Sequence, residues 1–275
     1  MKKALLVILS AAFMIFLAAC GSSDSGSGDE ETTTIKVGAS STPHAEILKE
    51  AQPILEKEGV NLEIEEYQDY VLPNDDLESG DLDANYFQHI PYLETSNADT
   101  GYDLISLGAV HLEPMGVYSK NIAKVDDIKD GTEVIMGRNV SEQGRILSIF
   151  QEAGLITIKD GVEPVDATLD DIADNPKNLK FSMDVDPAFL PDTYESEEDA
   201  LVVINTNYAL QAGLTPSEDA LILEGTDSPY GNIVAARAED KDNEALQKLM
   251  DVLHSDEIKK FIEDNYDGAI LPVDK

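Results

Sequence analysis

The sequence predicts an α/β fold of two lobes joined by strands, with a ligand cleft between them. Three observations carry that expectation. Strand-like and helix-like runs alternate from Thr34 onward, the pattern of mainly parallel sheets covered by helices. The body, from about Thr34 to Lys275, has roughly 240 residues, enough for one large or two modest domains. It contains no repeat of fixed period and no linker long enough to separate independent domains. Small ligands bind such sheets beyond the carboxyl ends of the strands.

The N-terminus reads "MKKALLVILSAAFMIFLAACGSS". Lys2 and Lys3 form a positive start, and Ala4 to Ala19 is an uncharged apolar run, short for a spanning helix. Residues 1–19 therefore read as a signal peptide. The small residues before Cys20 resemble the lipobox of bacterial lipoproteins, in which the cysteine is lipidated and becomes the mature N-terminus. The competing reading is an uncleaved anchor helix with an incidental cysteine. Cys20 is the single cysteine, which excludes an intrachain disulfide. Residues 20–33 are Gly/Ser-rich and then acidic, a flexible tether. One lipid chain binds membranes reversibly, whereas lipoprotein processing attaches more than one and anchors stably. This layout places the body on the extracytoplasmic face of the cell membrane.

The 55 acidic residues outnumber the 19 basic ones, for a formal charge of −36. Phosphate repels such a surface, so nucleic acid is excluded as a partner. "TIKVGAS" is a strand, and "TPHAEILKEAQPILEKEG" a helix with Pro43 in its first turn and Ile47, Leu48, Ala51, Ile54 and Leu55 on one face. Pro53 predicts a kink or break there. "VNLEIEEY" alternates as a strand. "LDANYFQHIPYL" brings Tyr86, Phe87, His89 and Tyr92 within seven positions and carries one charge. Such a group is either core or the lining of a pocket for a mostly apolar ligand. Further on, "GTEVIMG", "LKFSM", "ALVVIN" and "ALILEG" read as strands, "TNYALQAG" and the stretch from Asn243 to Gly268 as helical.

"SEQGRILSIFQEAG" predicts a helix capped by Ser141 and ended by Gly154. Arg145 then lies in its first turns, where free N–H groups and a guanidinium fork would hold a carboxylate. The alternative is a pair with Glu142. Asn205 and Asn232 follow or open strand-like runs. Each can close a turn or offer a carbonyl to a ligand ammonium, with Asn207 a weaker candidate. His44, His89 and His111 make a metal-ion receptor conceivable, but they lack helical i, i+4 spacing and a cysteine partner. No nucleophile elbow or phosphate loop occurs, so the chain does not read as an enzyme and no cofactor is implied.

"TPHAEIL", "DYVLPN", "LDANYFQHIPYLE", "VHLEPMGVYSK", "GRILSIFQEAGLI", "NPKNLK", "INTNYALQAGL" and "SPYGNIV" together resemble the methionine-binding lipoprotein (NlpA) family, from about Ile35 to Pro272. Its members are substrate-binding proteins of ABC importers. The resemblance implies a type II periplasmic-binding fold, with 34–112 plus 230–275 as one lobe and 113–229 as the other. "VHLEPMGVYSK" and "PYGNIVAAR" would be the crossings. It also implies a monomer that delivers an amino acid, L-methionine first, to an ABC permease. D-methionine, a methionine-containing dipeptide or another apolar amino acid stand behind. Tyr70, Phe87 and His89 would surround the ligand side chain, Arg145 would take its carboxylate, and Asn205 and Asn232 would help hold the head. Tyr86 and Tyr92 would be structural. One segment departs from the family: where members carry a stretch like "PNDPTN", this chain has "GRNVSE", Gly137 to Glu142, gaining Arg138 and Glu142.

Overall fold

The computed structural model describes residues 32–274; the signal segment and Cys20 lie outside the described residues. The strands are β1 (Thr33–Ser40), β2 (Val60–Tyr67), β3 (Ala84–His89), β4 (Leu104–Leu112), β5 (Gly116–Tyr118), β6 (Glu133–Gly137), β7 (Thr157–Ile158), β8 (Ile172–Asp174), β9 (Lys180–Val185), β10 (Leu201–Ile204), β11 (Ile222–Leu223), β12 (Asn232–Arg237) and β13 (Leu271–Pro272). The helices are α1 (Glu46–Lys57), α2 (Leu72–Ser79), α3 (Ile90–Thr100), α4 (Gln143–Glu152), α5 (Leu190–Ser196), α6 (Thr206–Gln211), α7 (Pro216–Asp219), α8 (Glu244–Leu253) and α9 (Asp256–Asn265). Two larger sheets result, ordered β13-β4-β12-β3-β1-β2 and β11-β5-β10-β6-β9.

Two lobes follow from how the chain crosses between these sheets. It leaves the first after β4 through Glu113–Met115 to enter the second as β5, and it returns between β11 and β12. This is the two-lobed periplasmic-binding architecture. The sheets are mixed, however, not mainly parallel. β12 lies antiparallel between β3 and β4, and β5 antiparallel to β10. The crossing strands arrive from the other lobe and run against the βα units they join, a direction that local alternation does not encode.

Apolar periodicity holds where packing demands it. Ile47, Leu48, Ala51 and Leu55 of α1 are buried with Leu246 and Leu249 of α8 and Ile258 and Ile262 of α9 in one core. A second core joins Val134 and Met136 of β6 to Ile146, Leu147 and Phe150 of α4 and to Leu201 and Val203 of β10. Pro53 does not break α1, which runs through it. Both Pro53 and Lys49, whose carbonyl loses its helical donor, are exposed, so water can replace that bond. The irregularity falls earlier, in the turn Ser41–Ala45, where Thr42 is extended (φ −131°, ψ 133°) and α1 begins only at Glu46.

Candidate functional site

The ends of β3, β4 and β12 converge on the cleft. In register Asn232 opposes His89 on one side and His111 on the other, which places three polar side chains at one sheet end. All six residues of β3 are buried. His89 ends that strand and caps α3: its Nδ1 accepts the Tyr92 N–H at 3.2 Å. The ring N–H is thereby assigned to Nε2, which donates to Glu142 Oε1 at 2.8 Å. From the other lobe, Asn205 stands between β10 and α6, and Arg145 is the third residue of α4.

These elements line a narrow cleft cavity with about 30 Å³ of free space, so the lobes stand nearly closed on it. All six expected residues, Tyr70, Phe87, His89, Arg145, Asn205 and Asn232, line it. Tyr92, expected to be structural, lines it too, because its half-buried ring stands 5.9 Å from Phe87 and 6.1 Å from Tyr70. Tyr70 and Phe87 are also 5.9 Å apart, so three rings form one aromatic wall. Tyr86, in contrast, is fully buried in the core. Asn207 lines the cavity as well: its Oδ1 accepts from Tyr70 at 2.5 Å.

The charged wall differs from expectation. Ser141 does not cap α4. It sits in a 3-10 turn, Val140–Glu142, and α4 starts at Gln143 with no side-chain cap. That turn swings Glu142 inward instead, leaving it 4 % exposed. Gly144 is what lets α4 lie so close. A Cβ there would stand 2.3 Å from the Pro164 carbonyl oxygen and 2.6 Å from that of Val165. Arg145 is buried and already engaged. Nε donates to both Glu224 oxygens at 3.1 Å, and Nη2 to Glu224 Oε2 and to the Glu113 carbonyl, each at 2.7 Å. Its fork therefore grips Glu224, and Nη1 is the end left near the cavity, 3.6 Å from Glu142 Oε2. Burial opposes the Arg145 charge, but the Glu142 and Glu224 carboxylates outweigh it and hold the guanidinium firmly protonated. Burial likewise opposes the charge of Glu142, yet His89 and Arg145 bring its carboxyl down to about 2. Arg138, gained in the divergent loop, is exposed, pairs with Asp186 at 2.6 Å, and does not line the cavity.

Beneath the cavity lies a network centred on Glu113. His111 donates from Nε2 to Glu113 Oε1 at 2.8 Å, and its Nδ1 accepts from the Tyr86 hydroxyl. His44 Nε2 lies 3.3 Å from the same oxygen and 2.9 Å from Asn232 Oδ1. Glu113 Oε2 accepts the Asn207 N–H at 3.0 Å, so the network ties both lobes to the first crossing. Burial pushes His44 down to about 4. It also opposes the charge on Glu113, but the adjacent His44 ring, the His111 hydrogen bond and the Arg145 guanidinium hold that carboxyl below its usual range. His44, His111 and Glu113 are near enough to share a metal ion. His111 donates to Glu113 and His44 to Asn232, so hydrogen bonds account for both Nε2 atoms without an ion.

Glu113 and Glu224 escaped the sequence reading, whereas Glu142 was expected as the alternative partner of Arg145 and does stand beside it. In a chain with 55 acids, a single carboxylate carries no local signal. Glu142 alone had one, as a charge gained where the family carries asparagine.

A two-lobed fold closing on an aromatic wall and a buried charged wall defines a small-molecule binding protein. The family described as NlpA lipoprotein matches residues 35–274, and the chain belongs to it. It is similar to the "Methionine-binding lipoprotein MetQ" of Bacillus subtilis (strain 168), 49% identical over 276 residues, covering 99% of each chain. It is also similar to the "D-methionine-binding lipoprotein MetQ" of Escherichia coli (strain K12), 37% identical over 247 residues and 90% of each. Among solved structures, a nutrient binding protein from Burkholderia cenocepacia bound to methionine is 41% identical, with a TM-score of 0.81, over 86% of this chain and 99% of that one. Members of this family are substrate-binding lipoproteins. Among the described residues, no helix is long and apolar enough to cross a membrane.

Proposed function

We propose that the chain is the lipid-anchored, extracytoplasmic binding protein of an ABC importer, and that its cleft takes an amino acid, L-methionine first. It acts by binding and release to the permease as a monomer, without catalysis or cofactor. Residues 34–112 plus 230–275 and residues 113–229 form the two lobes that close on the ligand. The observation that carries this reading is the single cavity whose one wall is three aromatic rings and whose other wall is buried charge. Tyr70, Phe87 and His89 receive the side chain, since aromatic rings attract a thioether modestly. Arg145 Nη1 draws the carboxylate, with Asn205 and Asn232 bordering the head. Burying about 120 Å² of side chain contributes on the order of 3 kcal/mol at roughly 25 cal/mol/Å². Submicromolar binding requires more than about 8 kcal/mol, so the head-group contacts and lobe closure supply the rest.

Native mass spectrometry of protein purified without added ligand tests this reading. The expected spectrum carries the mass increment of one methionine, and chiral analysis of the released ligand separates the L and D forms. A dipeptide or another apolar amino acid would appear as its own increment. The cluster of His44, His111 and Glu113 favours a second reading, a metal-ion receptor. A chelator that lowers the melting temperature would support it, and indifference to chelator would end it.

A further inference from the structure

Glu142 is a second buried charge in the cavity, and its hydrogen bonds occupy only one of its two oxygens. Its Oε1 accepts from His89 Nε2 and, at 3.3 Å, from Asn205 Nδ2. Its Oε2 is buried, accepts no hydrogen bond, and has Arg145 Nη1 at 3.6 Å. An ionised oxygen enclosed without a donor is costly. Because Glu142 lines the cavity, a ligand can supply that donor. The charge balance asks for a cation as well. Arg145 stands against the carboxylates of Glu113, Glu142 and Glu224, the last already gripping its fork. Asn232 offers little competition for an ammonium, since its Oδ1 is occupied by His44 Nε2 at 2.9 Å. On the donor side, Asn207 Nδ2 is buried without a partner, and Arg145 Nη1 is the free end of the guanidinium. An unsatisfied acceptor beside two available donors is the complement of a zwitterion.

We infer that Glu142 Oε2 is the ammonium site of this cleft, pairing with the α-amino group of the ligand while Arg145 Nη1 and Asn207 Nδ2 face its carboxylate. The inference rests on the reading of the ligand as a free amino acid, and it makes a charged amine a condition of binding. It also gives the divergent loop a purpose: a carboxylate here holds an ammonium by charge, where an asparagine could offer only a carbonyl dipole.

Calorimetric titration of wild type and Glu142→Gln with L-methionine and with its desamino analogue, methylthiobutanoate, tests the assignment. Gln keeps an oxygen to accept from His89 and removes the charge; melting curves without ligand establish that the variant is folded, and Glu142→Asn provides the same readout should it not be. Wild type is expected to bind the analogue about 100-fold more weakly than methionine, the scale of stripping one partner from a buried charge pair. In Glu142→Gln, methionine should weaken about 100-fold while the analogue changes little, so that the preference for the amine collapses. A preference unchanged in both variants, or equal binding of the two ligands by wild type, overturns the inference and leaves the amino-acid reading standing. A wild type that binds no amino acid overturns that reading and the inference together.

Discussion

Acid should weaken this protein through one buried imidazole, and the loss can be calculated. His44 is 1 % exposed, and burial lowers it from 6.5 to about 4. Above pH 6.5 the ring is neutral in the folded and the unfolded chain, and its stabilising contribution is fully present. Between pH 6.5 and 4 the unfolded chain binds a proton that the folded chain refuses, so stability falls with pH. At 1.36 kcal/mol per pH unit, lowering the pH from 7.5 to 4.5 removes about 3 kcal/mol. That is a large share of the roughly 5–15 kcal/mol of an ordinary domain. Glu142, lowered from 4.5 to about 2, adds a separate loss only below pH 4.5. Urea unfolding at pH 7.5 and 4.5, with linear extrapolation to water, measures the difference. His44→Gln keeps a donor toward Asn232 and Glu113 but does not titrate, so its loss over the same interval should be smaller by about 3 kcal/mol. Equal losses in wild type and variant would refute the account of His44 as a buried neutral ring.

Other perturbations probe different links. Gly144→Ala should destabilise by about 1–3 kcal/mol, because its Cβ meets two backbone oxygens; a melting temperature equal to wild type would contradict that packing. Phe87→Ala should weaken methionine binding by roughly 1–3 kcal/mol, and a lower melting temperature with unchanged affinity would remove Phe87 from the site. Arg145→Ala should cost about 2–5 kcal/mol of binding and also lower the melting temperature, since it leaves the Glu224 carboxylate without its guanidinium; loss of stability with normal affinity would make Arg145 purely structural. Cys20→Ala should release the body from membranes with ligand binding intact, and equal partitioning of mutant and wild type into detergent would count against lipidation.

Much of this fold was legible because it is local. The period of Ile47, Leu48, Ala51 and Leu55 marks α1, and Gly154, at φ +72°, ends α4 as its position suggests. The opening of α4 was misread for a tertiary reason. Ser141 has good capping chemistry, but the turn before Gln143 is spent on burying Glu142 against His89, a residue of the other lobe and far away in sequence. The aromatic side of the cavity was visible as a cluster of scarce residue types. The acidic side was visible only at Glu142, because Glu113 and Glu224 differ from other carboxylates only in where the fold places them. Arg145 shows both halves: its presence in the site could be read, whereas Glu224's hold on its fork could not.

The central claim is that the cavity between the aromatic and charged walls takes one free amino acid. Its most direct test is calorimetric titration of L-methionine into protein stripped of ligand by unfolding and refolding. The account predicts a single site per chain with a submicromolar dissociation constant, weakened in Phe87→Ala and again in Arg145→Ala. Absence of binding heat with L-methionine, D-methionine and every other apolar amino acid, from a refolded chain with a cooperative melt, would contradict it.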